Sequence, residues 1–170
     1  MKTAWVLLAL VLALVLQTTL ARFTIGGHTP VDVVLVAVVY AALVRGPVTG
    51  LLAGTVGGLA QDALSGGLVG VGGLAKTLVG FVTGVIGAQF IVTQPVTRFA
   101  LFFGATVVHG ACFLGVYALV GSRGSALSFG QVIAQAVGNG IVGVVAFQAA
   151  AMLPGLVDRR RARRPWFGRR

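Results

Sequence analysis

Six apolar runs follow one another along most of this chain, covering residues 3–21, 31–44, 47–64, 68–92, 95–120 and 127–153, and few charges interrupt them. About 20 apolar helical residues are needed to cross the hydrocarbon core of a bilayer, and all but the second run are close to that length. Pro30, Pro47 and Pro95 stand at the starts of the second, third and fifth runs, where proline suits a first helical turn. Strand-like alternation of apolar and polar residues is missing, so a barrel is not indicated. Charged residues make up only 9% of the 170, where a soluble domain carries about 25%. The sequence therefore predicts an all-α fold, a polytopic membrane helical bundle of about six transmembrane helices.

Residues 1–157 are expected to form the transmembrane helical domain and residues 158–170 a basic cytoplasmic tail. The net charge of +10 resembles a nucleic-acid signal until it is mapped: seven of the thirteen Lys and Arg residues lie in the last dozen positions. Such a tail on a hydrophobic body sits against anionic lipid headgroups, each cation contributing about 1 kcal/mol. Arg159, Arg160, Arg161, Arg163 and Arg164 are accordingly read as lipid-facing. No groove-reading motif accompanies them, and no nucleic-acid partner is expected. A cytoplasmic N-terminus puts Lys2, Arg45, Arg98 and the tail inside, against Arg22 and Arg123 outside. That satisfies the positive-inside rule and places both termini in the cytoplasm. The second run, 14 residues between its breakers, spans only about 21 Å. It borrows residues before Pro30, tilts little, or is shielded by neighbours. If the second and third runs instead form one broken unit, five crossings result. The first run is longer than the 7–15 apolar residues of a signal peptide, and it is expected to remain as an uncleaved helix.

Small residues recur in order. Gly50, Gly54, Gly58 and then Asp62 are four apart in the third run, as are Gly72, Lys76, Gly80, Gly84 and Ala88 in the fourth. That spacing lets two helix backbones approach closely, which matters where lipid competes equally for apolar contacts. These faces are read as partner or helix-packing surfaces. An intramembrane lysine calls for a counter-charge, and the nearest acid in sequence is Asp62, so Lys76 is expected to lie near it at the outer ends of the third and fourth runs, pairing with it or snorkelling toward the surface. Gln131, Gln135, Asn139 and Gly143 line one face of the sixth run and should hydrogen-bond a neighbouring helix, a partner or a small cavity. His109 reads as a satisfied buried imidazole, Cys112 as a small buried hydrophobe, and Gln17 with Thr18 and Thr19 as an interfacial end to the first run. No Ser-His-Asp, Cys-His, HExxH or phosphate-loop pattern occurs. Neither an enzyme, a metal site nor a cofactor is expected.

The order of these motifs resembles the rod shape-determining protein MreD family. The likeness runs from Leu16-Gln17-Thr18-Thr19 through Arg45-Gly46-Pro47, Gly50, Gly54 and Gly58-Leu59 to Asp62. It continues with Leu64-Ser65-Gly66-Gly67, Gly70 and Leu78-Val79-Gly80-Phe81, and ends in a basic C-terminus. Thr29-Pro30-Val31-Asp32 departs from the family in the residue between Pro and Asp, so the resemblance assigns Asp32 no role. It implies a bacterial inner-membrane protein that maintains rod shape and supports lateral peptidoglycan synthesis. The implied partner is an MreC-like membrane-anchored protein, and through it MreB, RodA and a class B penicillin-binding protein. A homodimer is a further possible assembly. The family is also similar to the six-helix substrate-binding subunits of energy-coupling-factor transporters, an analogy of fold that does not carry function. The competing reading is therefore a micronutrient-binding transporter subunit, in which His109, Gln131, Gln135 and Asn139 line a pocket.

Overall fold

The computed structural model describes residues 2–21, 30–66, 68–90, 92, 94–120 and 128–162. Among them are six helices and no strand: α1 (Lys2–Leu20), α2 (Val33–Arg45), α3 (Pro47–Ser65), α4 (Val71–Gln89), α5 (Pro95–Val120) and α6 (Phe129–Ala162). Each apolar run of the sequence thus becomes a separate helix. Three segments, α4, Pro95–Val116 and Phe129–Met152, are long and apolar enough to cross a membrane, and Ala4–Leu20 and α2 are shorter apolar helices. Helix α6 continues past the last apolar residues, so Arg159, Arg160 and Arg161 stand on its final turns, while Arg163 and Arg164 lie outside the described residues.

The shortest helix is the centre of the bundle. Helix α2 touches all five others, and Val34, Leu35, Val36, Val38, Val39, Ala41 and Ala42 are buried on every side of it. A helix apolar all round belongs inside a fold. Its 13 residues span about 20 Å, short of the roughly 30 Å hydrocarbon core. Shielding by neighbours is what makes so short a helix tolerable. Nothing is borrowed from before Pro30, since Asp32 is already the N-cap. Its Oδ1 accepts from the Leu35 amide at 2.9 Å.

Helices α3 and α4 form the closest pair, because their glycines face each other. A Cβ on Gly50 would collide with the carbonyl of Gly80, one on Gly54 with the carbonyl of Lys76, and one on Gly58 would come within 2.6 Å of the Gly73 Cα. In the reverse direction, a Cβ on Gly84 would strike Pro47. The turn between the helices uses glycine where L-residues are strained, with Gly66 at φ 68° and Gly70 at φ 106°. The Thr55 and Thr77 hydroxyls also meet across the pair at 2.9 Å.

On the opposite side α5 docks on α6 through rings set against glycines. A Cβ on Gly140 would lie 2.6 Å from the Phe99 ring, and one on Gly143 would enter the ring of Phe102. Phe147 joins the two layers. Its ring stands 4.6 Å from Tyr40 and 6.2 Å from Phe102, and the Arg98 guanidinium lies 4.6 Å above it, a cation–π contact. Helix α1 leans on α2 and α3 by a narrower stripe of Leu10, Ala13 and Gln17.

Candidate functional site

Where backbone enters a helix in the buried interior of an apolar bundle, its N–H and C=O groups must find partners within the protein. The entrance to α2 is such a place, and two amide side chains serve it. From α1, Gln17 donates through Nε2 to the Val31 carbonyl at 3.3 Å and accepts the Val33 amide through Oε1 at 2.7 Å. From α6, Asn139 Oδ1 accepts the Asp32 amide at 2.9 Å. Asn139 Nδ2 in turn donates to Thr106 Oγ1 of α5 at 3.0 Å, and that hydroxyl donates to the Phe102 carbonyl at 2.8 Å. A Cβ on Gly138 would come within 2.8 Å of the Pro30 carbonyl, so the glycine before Asn139 is what lets α6 reach this strand of backbone. An amide fits the task because it offers an acceptor and donors on one short side chain.

The carboxylate placed by this entrance meets the one intramembrane lysine. Lys76 Nζ lies 2.8 Å from Asp32 Oδ2, and both side chains are at most 5% exposed. The ammonium also contacts His109 Nε2 at 3.2 Å. An ammonium has only protons to give, so His109 Nε2 is the acceptor and its proton sits on Nδ1, an assignment made from the hydrogen-bond network. Asp32, Lys76 and His109 thereby join α2, α4 and α5, while Gln17 and Asn139 add α1 and α6. Charge and polarity close on themselves inside an apolar bundle, the condition for burying them there.

Asp62 is elsewhere, and its expected pairing with Lys76 does not occur. Asp62 Oδ2 accepts the amides of Gly70 at 2.9 Å and Gly73 at 3.0 Å, capping the start of α4, where a negative charge also complements the helix dipole. The nearest acid in sequence was the wrong partner because its helix-capping geometry turns it toward the α3–α4 turn, whereas Lys76 faces the bundle interior. Asp62→Ala should lower stability by about 1–2 kcal/mol, with Asp62→Asn recovering part of the loss; thermal unfolding in detergent measures both.

The other expected residues divide. Gly50, Gly54, Gly58, Gly80 and Gly84 lie in the α3–α4 contact, so these faces pack against each other within the chain. The polar face of α6 is not one surface either. Asn139 is fully buried in the cluster, Gln135 is half-buried, and Gln131 belongs to a capping box: its Oε1 accepts the Ser128 amide at 2.8 Å, and Ser128 Oγ accepts the Gln131 amide at 3.3 Å. Gln17 is buried rather than interfacial, and Cys112 is half-buried. Asp32 and Thr106 were not among the expected site residues. The signal for Asp32 was present, since it is the other carboxylate of the apolar body. Among the described residues no three His, Cys, Asp or Glu side chains group as metal ligands.

The profile of a family described as rod shape-determining protein MreD matches residues 1–147. No curated protein and no solved structure matches at a significant level.

Proposed function

The chain belongs to the MreD family of rod shape-determining proteins, and from that premise we propose that it is a non-enzymatic membrane scaffold of the cell-elongation machinery. It is an integral membrane protein with a role in rod-shape determination. The finer reading is that it crosses the cytoplasmic membrane six times with both ends inside. There it holds an MreC-like membrane-anchored protein and, through it, MreB, RodA and a class B penicillin-binding protein in one assembly, with the basic tail against anionic lipid.

The observation that best supports this reading is the self-contained interior. Asp32, Lys76, His109, Thr106 and Asn139 spend their hydrogen-bonding groups on one another and on the backbone of α2 and α5. A ligand-binding membrane subunit would instead aim such groups into a chamber. Here they set the relative positions of four helices, which is what a scaffold needs from its core.

The test is depletion and rescue in a rod-shaped host, combined with co-purification in mild detergent. Depletion should give rounded cells, wild-type protein should restore rods, and the MreC-like protein should accompany the tagged chain. Saturable nutrient uptake by reconstituted vesicles, with rod shape unchanged on depletion, would overturn the proposal.

A further inference from the structure

The cleft between α1 and α3 carries a charge at one end only. It lies where both helices begin, walled by Leu7 and Leu10 of α1 and by Leu52, Ala53 and Val56 of α3, and it encloses about 270 Å³. Arg45, the exposed last residue of α2, lines it together with Thr49. The Thr49 hydroxyl donates to the Arg45 carbonyl at 3.5 Å, too long to hold it firmly, so it is available to a better acceptor. Among the described residues no carboxylate lines the cleft. Asp32 is closed on Lys76 and Asp62 caps α4. A guanidinium and a hydroxyl thus stand at the head of an apolar slot.

We propose that this cleft holds one anionic phospholipid, with its phosphate on the Arg45 guanidinium and the Thr49 hydroxyl and one acyl chain laid between α1 and α3 toward Val56. The site is separate from the basic tail and independent of the partner a scaffold would hold. Charge and width select the occupant. Guanidinium is the side chain best matched to phosphate oxygens, which it binds through two parallel hydrogen bonds. A zwitterionic headgroup would bring its own cation to this end of the bundle. From Thr49 to Val56 α3 advances about 10 Å, so the volume corresponds to a slot of about 27 Å² in section. That admits a hydrocarbon chain, whereas a helix 10–12 Å across takes about 80 Å² or more. A second copy about a two-fold axis would present the same patch to itself and offer Arg45 no anion.

The experiment uses the full chain in mild detergent, titrated with phosphatidylglycerol or with phosphatidylcholine of the same acyl chains. Native mass spectrometry reads bound lipid, and thermal unfolding reads the stabilisation that binding confers. Wild type should retain phosphatidylglycerol in preference. Arg45→Gln should weaken it at least tenfold and Thr49→Val several-fold. Val56→Phe, at a position 52% exposed, should fold like wild type and lose the lipid by filling the slot. Arg169→Gln removes the same charge from the tail and should cost no more than the roughly fivefold of one surface cation. Equal losses in Arg45→Gln and Arg169→Gln would reduce the attraction to diffuse charge and overturn the site. Phosphatidylcholine bound as tightly as phosphatidylglycerol would overturn it too, as would glycerol 3-phosphate stabilising the chain as well as the whole lipid does. A Val56→Cys cross-link between two copies would make the cleft an interface and refute the lipid. If Arg45→Gln fails to fold, the wild-type lipid preference and Val56→Phe decide the matter.

Discussion

Lys76→Met should lower the unfolding free energy of the bundle by about 3–5 kcal/mol, because it strands the Asp32 carboxylate in a site sealed from water. Asp32→Asn alone should cost a similar amount by stranding the ammonium. The double variant Asp32→Asn/Lys76→Met should recover at least half of either loss, since no charge then remains to be neutralised. Asparagine also keeps an acceptor for the Leu35 amide, which Asp32 Oδ1 now serves at 2.9 Å. The measurement is a double-mutant cycle on reversible unfolding in bicelles, supported by steady-state protein levels in cells. Additive single losses would contradict the pairing, because contacting charges must show a coupling energy. His109 supplies a second check: with the Lys76 contact at 3.2 Å removed, its Nδ1–H tautomer is no longer enforced and its nitrogen resonances should shift.

The second large effect is steric. Gly54→Ala should destabilise the protein by about 1–3 kcal/mol, and Gly54→Val by more, as overpacking of a rigid contact does. The added carbon would strike the Lys76 carbonyl and lie 2.7 Å from the Thr77 amide nitrogen. These are backbone atoms with no flexible end to yield, so α3 and α4 must separate as units and the Thr55–Thr77 contact of 2.9 Å must open. Loss of a disulfide cross-link engineered between the two helices, together with a lower unfolding temperature, would record the separation. Gly104→Ala is the matched control, since its carbon meets nothing within 4 Å, and it should be neutral or slightly stabilising through helix propensity.

These two predictions mark the limits of reading the sequence. The four-residue glycine period of Gly50, Gly54 and Gly58 states that something comes close to that face, and the structure agrees. What comes close is α4, next in the chain, and a helical period cannot tell a neighbour in the same chain from a helix of another. The charge problem of Lys76 was equally legible, since an intramembrane cation demands an anion. Its solution was not, because pairing is decided by where α2 enters the bundle and not by distance along the chain. Gln17 was misjudged for a related reason. A glutamine near the end of a span suits an interface, unless an irregular piece of backbone such as Val31–Val33 comes to rest beside it. Helix existence survived all of this, since it depends on local hydrophobicity. The polar cluster depends on five helices meeting, information that no single segment carries.

The amide of Asp32 has a consequence for how the protein is made. It donates to Asn139, 107 positions further along the chain. At a synthesis rate of about 5–20 residues per second, that partner leaves the ribosome roughly 5–20 seconds later. Until then the mouth of α2 is an open polar wound in a nascent membrane protein, held on one side by Gln17 alone. The last helix therefore acts as a closing stitch. A chain that ends before Asn139 lacks the acceptor for that amide, so its defect lies near its beginning although the missing residue lies near its end.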